Sequence, residues 1–245
     1  MYYDNFKMNN YSQNGEDGVL FRLMLELEIK SSSCWCVDVG AYDGIEYSNV
    51  RTLINQGANA VLIEPSVVGG IGEPKFEDLQ KLPKQFPNVT VFNYAVIPSE
   101  YNEEQKEEAL SGIESNDARW GKERKDKLQG MELDKILEKT KIPEDYDILN
   151  IDTDTCDHPI WKDHKKYKPK IVIIEIESSI APDSDREGKH GLSSFSYSLS
   201  VAEKMGYSLV CHTGNMIYVR NDLVDKLSIP ESLTNSAELF NRSWL

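Results

Sequence analysis

The sequence predicts an α/β fold: a Rossmann-like open sheet of five parallel strands, closed by a C-terminal antiparallel hairpin, in a single domain spanning residues 1–245. Three observations predict it. Short apolar runs of strand character alternate with stretches of helical spacing. Several of those runs end in acidic residues, as strands do when they deliver functional groups to one rim of a parallel sheet. The last two runs, Tyr207 to His212 and Asn215 to Arg220, flank Thr213-Gly214, which suits a hairpin turn.

Taken in order, YSQNGEDG (Tyr11 to Gly18) is polar and leads into VLFRLMLELEI, the apolar body of a buried helix. Glu16 and Asp17 complement the positive end of its dipole, and Arg22 and Glu26 stand four apart as a surface pair. Capping leaves Ser12, Gln13 and Asn14 unexplained. CWCVDVGAYDG (Cys34 to Gly44) is the first strand and its turn. Val37 and Val39 favour a pleated, buried conformation, while Gly40 and Gly44 permit tight turning and close approach of a ligand. Asp38, Gly40, Tyr42 and Asp43 would then line the crevice beyond the strand's carboxyl end. The two carboxylates repel a pyrophosphate and suit a cationic, amine-bearing ligand with sugar hydroxyls. The glycines are spaced G-x-x-x-G rather than G-x-G-x-x-G, so S-adenosylmethionine is favoured over NAD.

Ser48, Asn49, Leu53 and Ile54 continue into a helix that stops near Gly57. AVLIEPS (Ala60 to Ser66) is the second strand, and Glu64 at its end, followed by Pro65, is placed to bind ribose. Phe76, Leu79, Leu82 and Phe86 recur at helical spacing, and Thr90 to Ile97 is the third strand. Ser99 to Lys127 is too long for an ordinary connection. This insertion, 99–127, gathers Arg119, Lys122, Arg124, Lys125 and Lys127 around Trp120, a pattern suited to a substrate lid that recognises phosphate. The plainer alternative is a solvated insertion. Met131 to Lys139 is an amphipathic helix, Asp145 to Asp154 the fourth strand and Lys170 to Ser178 the fifth. Phe195, Leu199, Ala202 and Met205 mark a helix ending at Gly206.

Composition bounds the function. The 245 residues carry 41 acidic and 27 basic side chains, a formal net charge of −14, which disfavours nucleic acid and anionic membranes. Cys34, Cys36, Cys156 and Cys211 form no C-x-x-C pair and read as buried thiols in a reducing compartment. No run is long enough for a membrane span, and MYYDNFKMNN has neither a basic leader nor an apolar core, so a cytoplasmic location is expected.

The motifs, in this order, resemble those of the FkbM-like S-adenosylmethionine-dependent methyltransferases. YSQNGEDG is similar to that group's leading S-Q-x-G-E-D segment, VDVGAYDG to its glycine loop, SNVRTLINQGANAVLIEPS to its next helix and strand, and NIDTDTCD to the fourth-strand motif of a related branch. IVIIEIESSIAP followed by GYSLVCHTGNMIYVRNDL is similar to its close. Thr153, Asp154, Thr155 and Cys156 replace the V-E-G-A run of the better-known branch. The resemblance implies a class I methyltransferase sheet and O-methylation of a sugar or sugar-nucleotide hydroxyl in glycan or capsule biosynthesis. Alternatives are a phosphate-type oxygen or small metabolite as acceptor, or a catalytically silent cofactor-binding module.

On this reading the cofactor contacts are Gln13, Gly15, Asp38, Gly40, Tyr42, Asp43, Gly44, Ser48, Asn49, Glu64 and Pro65. Asp152 and Asp154 are candidate bases, and with Glu175 they offer hard oxygen ligands for Mg²⁺. His158 and His190 are further candidate bases because imidazole titrates near neutral pH. Arg119, Trp120 and Glu175 are assigned to the acceptor, a small molecule or sugar nucleotide. A homo-oligomer is compatible with everything above.

Overall fold

The computed structural model describes residues 2–65, 76–119, 128–187, 193–229 and 239–240. In chain order the elements are α1 (Glu16–Glu26), β1 (Trp35–Val39), α2 (Arg51–Asn55), β2 (Asn59–Ile63), α3 (Phe76–Leu79), α4 (Leu82–Gln85), β3 (Val89–Phe92) and β4 (Ala95–Val96). There follow α5 (Glu103–Arg119), β5 (Gly130–Met131), α6 (Leu133–Leu137), β6 (Ile148–Ile151), α7 (Asp157–Asp163), β7 (Ile171–Glu175), α8 (Phe195–Met205), β8 (Tyr207–His212) and β9 (Asn215–Arg220).

Seven strands form one sheet in the order β3-β2-β1-β6-β7-β9-β8. The five strands from β3 to β7 in that order run parallel, and β9 is antiparallel to both β7 and β8. This is the open α/β sheet, five parallel strands closed by a C-terminal antiparallel hairpin, that the sequence predicts. After β1 the chain moves outward through β2 and β3, then returns to lay β6 on the other side of β1. Such a reversal opens a crevice at the carboxyl ends of β1 and β6.

Strand alternation explains why both faces are covered. Cys34 and Cys36 enter one core with Leu20, Leu23, Leu53 and Ile54, while Val37 and Val39 enter the other with Leu149, Ile160 and Trp161. All four cysteines are buried and free, and the sulfurs of Cys34 and Cys36 lie 3.6 Å apart. Arg22 and Glu26 pair as their spacing predicts, at 2.6 Å. No helix among the described residues is long and apolar enough to cross a membrane.

Two local expectations are corrected. The single strand expected over Thr90 to Ile97 breaks after Phe92, because Ala95 and Val96 leave the main sheet to pair with Gly130 and Met131. Met131 is therefore strand rather than helix. Within the 99–127 insertion, residues 103–119 form helix α5, whose Ala109 packs with Ala95, Ile97 and Leu128 in a small core of its own.

The acids of the YSQNGEDG segment are structural, as their place at the start of α1 suggests, and their partners reach well beyond that helix. Oδ2 of Asp17 accepts the backbone N–H groups of Asn10, Tyr11 and Ser12 at 2.9, 2.8 and 2.8 Å, and the Ser12 hydroxyl accepts the Asp17 amide. Glu16 is fully buried. Its Oε1 accepts from the Thr213 hydroxyl at 2.6 Å and from Asn215 Nδ2 at 3.2 Å, while Oε2 accepts the Asn14 amide at 2.8 Å. The start of α1 is thereby tied to the β8–β9 turn. Glu16→Ala is expected to lower stability in urea unfolding by roughly 2–3 kcal/mol, since buried donors lose their acceptor. A loss under about 0.5 kcal/mol, the scale of an ordinary surface substitution, would contradict this role.

Candidate functional site

A cavity of about 450 Å³ opens at the carboxyl ends of β1, β2 and β6, within the size range of small-molecule sites. From β1 and its turn it is lined by Asp38, Gly40, Tyr42 and Ser48, from the end of β2 by Glu64 and Pro65, and from the end of β6 by Asn150, Asp152, Thr153 and Asp154. Tyr94 lies on the wall before β4, and Ile113 reaches it from α5. The inserted helix therefore contributes to the cavity.

Gly40 is required for a reason the sequence does not display. Its φ is +86°, and a Cβ built there would collide with the backbone carbonyl of Asp152. The Asp152 amide donates to the Val39 carbonyl at 2.9 Å, so β6 runs hard against the β1 turn. The space a side chain would fill belongs to the neighbouring strand rather than to a ligand. Gly44 also departs from the expectation. A Cβ there would meet the side chains of Leu82 and Leu79, so this glycine faces the core side of its turn. Asp43 is buried, and its Oδ1 accepts the amides of Ile45 and Glu46 at 2.8 Å each, closing the turn. Neither residue lines the cavity.

Gln13 and Gly15 lie outside it as well. Gln13 is exposed, and Gly15 packs against Lys7 with φ +101° at the start of α1. Glu64 is where the sequence places it. Its Oε2 accepts the Tyr42 amide at 3.0 Å, joining the end of β2 to the β1 turn.

Asp38 is held by partners that sequence reading misses. Its Oδ1 accepts from Asn150 Nδ2 at 2.7 Å, and the Asn150 carbonyl oxygen accepts in turn from Asn49 Nδ2 at 2.9 Å. The Ser48 hydroxyl is also hydrogen-bonded to Asp38. Burial raises the Asp38 pKa to about 6 against the opposing effect of those bonds. Asn49 itself does not line the cavity; it stands behind Asn150 in the relay.

Asp152, Asp154 and Glu175 offer carboxylate oxygens that all lie within 4.8 Å of one another. Burial, reinforced by neighbouring carboxylates, pushes the pKa values of Asp152 and Glu175 upward, and the two carboxyls are hydrogen-bonded to each other. Oε2 of Glu175 is buried with no hydrogen-bond partner. Glu175 belongs to this cluster but not to the cavity lining. Asp157, at the start of α7, is a fourth acid nearby that the sequence reading misses. It accepts the Thr153 amide at 2.9 Å and the Thr153 hydroxyl, while its Oδ2 is buried without a partner. It thus shapes the segment that carries Asp152 and Asp154.

Hard oxygen donors, an excess of negative charge and an orphaned buried oxygen fit a divalent cation such as Mg²⁺ or Mn²⁺. Backbone strain collects here too. Of the four described non-glycine residues with positive φ, three line the cavity: Tyr42 at 49°, Tyr47 at 57° and Asp154 at 58°.

The histidines do not join the site as expected. His158 is buried in the core between Trp161 and Tyr197, its Nε2 is bonded to the Ser198 hydroxyl at 2.8 Å, and burial lowers its pKa to about 3. A neutral imidazole sealed in the core makes no general base for the cavity. His190, Trp120 and the side chain of Arg119 lie outside the described residues; Arg119 is the last residue of α5.

No protein-family model matches the chain, and no curated protein sequence matches it. The FkbM-like resemblance therefore rests on the quoted motifs alone. Among solved structures the chain is similar to an O-methyltransferase from Bacillus cereus in complex with SAH, at 14% identity over 89% of this chain and 86% of that one, with a TM-score of 0.45. It is also similar to precorrin-6y C5,15-methyltransferase from Geobacter metallireducens, at 13% identity over 88% of this chain and 94% of that one, with a TM-score of 0.42. Likenesses at this level carry no weight for the chemistry, and the functional reading rests on the site's own residues.

Proposed function

We propose that this protein is an S-adenosylmethionine-dependent methyltransferase acting on a hydroxyl oxygen of a sugar or sugar nucleotide. The observation that carries the reading is that one cavity joins the two halves such a reaction needs. Asp38, Ser48 and Glu64 stand on one part of its wall, and Asp152 and Asp154 on another.

When bound, S-adenosylmethionine supplies an electrophilic methyl group on a sulfonium. The chain's own work is binding, alignment and removal of a proton. Glu64, fixed by the Tyr42 amide, accepts hydrogen bonds from ribose hydroxyls. Asp38, held by Asn150 and Ser48, faces the cationic amino-acid end. Asp152 and Asp154 take the proton of the acceptor hydroxyl or, with Glu175, hold a divalent cation, which would lower the pKa of a coordinated hydroxyl. Arg119 and Trp120 are assigned to any anionic part of the acceptor, since the cavity lining contains no lysine or arginine among the described residues.

Calorimetric titration tests the cofactor half. Wild-type protein is expected to bind S-adenosylhomocysteine, and Glu64→Ala to weaken that binding by roughly 1–3 kcal/mol, the scale of a hydrogen bond to a charged group. Unchanged affinity in the variant would overturn the ribose assignment.

A further inference from the structure

Asn150 lies two residues before Asp152 and carries no charge, so neither half of the proposed chemistry calls for it. It nevertheless sits on the cavity wall, is only 5% exposed, and spends both ends of its amide on buried partners. Its N–H group donates to Asp38 on the neighbouring strand, and its carbonyl accepts from Asn49 at the entry to α2. Strand register brings this about, since Asn150 is the direct partner of Asp38 across the β1–β6 pair. The far oxygen of Asn49 is buried without a partner. The relay therefore runs in one direction: two amides in series present a donor to the carboxylate.

We infer that Asn150, backed by Asn49, is a positioning residue that holds the Asp38 carboxylate toward the ammonium group of the bound cofactor. This rests on the S-adenosylmethionine reading above and adds to it a means of selecting the amino-acid end of the ligand. A carboxylate anchored by Asn150 and Ser48 is already oriented when a cation arrives, whereas one lacking the amide can turn or draw in water. Asn150 touches Asp38 and not the reacting atoms, so its removal should be felt only by ligands that carry the ammonium.

The test compares two probes, S-adenosylhomocysteine, which has the α-ammonium, and 5′-methylthioadenosine, which has the same nucleoside and lacks the amino-acid end. Asn150→Leu is expected to weaken S-adenosylhomocysteine about tenfold or more, the scale of a lost hydrogen bond to a charged group, while methylthioadenosine changes by less than about twofold. Asn49→Ala, which leaves the sheet untouched, should show the same split at smaller amplitude and keeps the test valid if Asn150→Leu does not fold. Equal weakening of both probes would overturn the inference by making Asn150 a structural residue. Unchanged binding of S-adenosylhomocysteine in both variants would overturn it as well. If the wild-type protein binds neither probe, the cofactor reading itself falls, and the inference falls with it.

Discussion

Gly40→Ala is expected to cost about 3 kcal/mol or more in chemical unfolding, or to yield no folded protein. Two penalties combine. An L-residue at φ +86° is strained by roughly 1–2 kcal/mol, and its Cβ would be driven into the Asp152 carbonyl. Relief requires β6 to move away from β1, which would break the hydrogen bond from Asp152 N to Val39 O. The expectation differs from one based on ligand space alone, where the variant would fold normally and merely fail to bind. Circular dichroism and urea titration decide it: a variant with wild-type stability and no affinity for S-adenosylhomocysteine would restore the ligand-space explanation.

The second large effect concerns the carboxylate cluster. Asp152→Asn is expected to weaken Mn²⁺ binding, followed by electron paramagnetic resonance, at least about tenfold, because even removing a partner of a metal ligand costs that much. Its affinity for S-adenosylhomocysteine should stay within about twofold, since the ribose and amino-acid contacts proposed above lie at the ends of β1 and β2. If the cluster holds a cation as proposed, EDTA should lower methyl transfer by the wild-type protein and leave cofactor binding in place. Equal Mn²⁺ affinity in wild type and variant would leave Asp152 as an acid or base only. Loss of cofactor binding in step with Mn²⁺ would contradict the division of the cavity into two halves.

The fold was legible because its signals are local. Val37 with Val39, and Ile171 to Ile174, announce buried parallel strands without knowledge of their neighbours, and Thr213-Gly214 announces the hairpin. The places of Glu64, Asp152 and Asp154 on the cavity wall are legible for the same reason, as acids at strand ends. Sequence spacing is silent where a residue's role depends on a distant partner. Asn150 meets Asp38 across 112 residues of sequence, so no spacing rule points to it. Gly40 answers to the carbonyl of Asp152 on another strand, and Gly15 to Lys7. Glu16 and Asp17 sit where helix-start acids belong, which hid their contacts with the β8–β9 turn and the preceding loop. His158, just past a strand that ends in acids, reads as a base until packing shows it between Trp161 and Tyr197. Helix α5 was hidden by its composition, since a mainly solvent-facing polar helix carries little apolar periodicity.

The most direct test of the central claim is to incubate the protein with methyl-labelled S-adenosylmethionine, a divalent cation and a polar extract of cells that produce it, and to follow S-adenosylhomocysteine together with the label. The account predicts that S-adenosylhomocysteine accumulates in proportion to label entering a carbohydrate as an O-methyl group, and that Asp152→Asn abolishes both. Cofactor that binds but is never consumed, under conditions where the same extract supports methylation by the producing cells, would contradict it and mark the chain as a binding module.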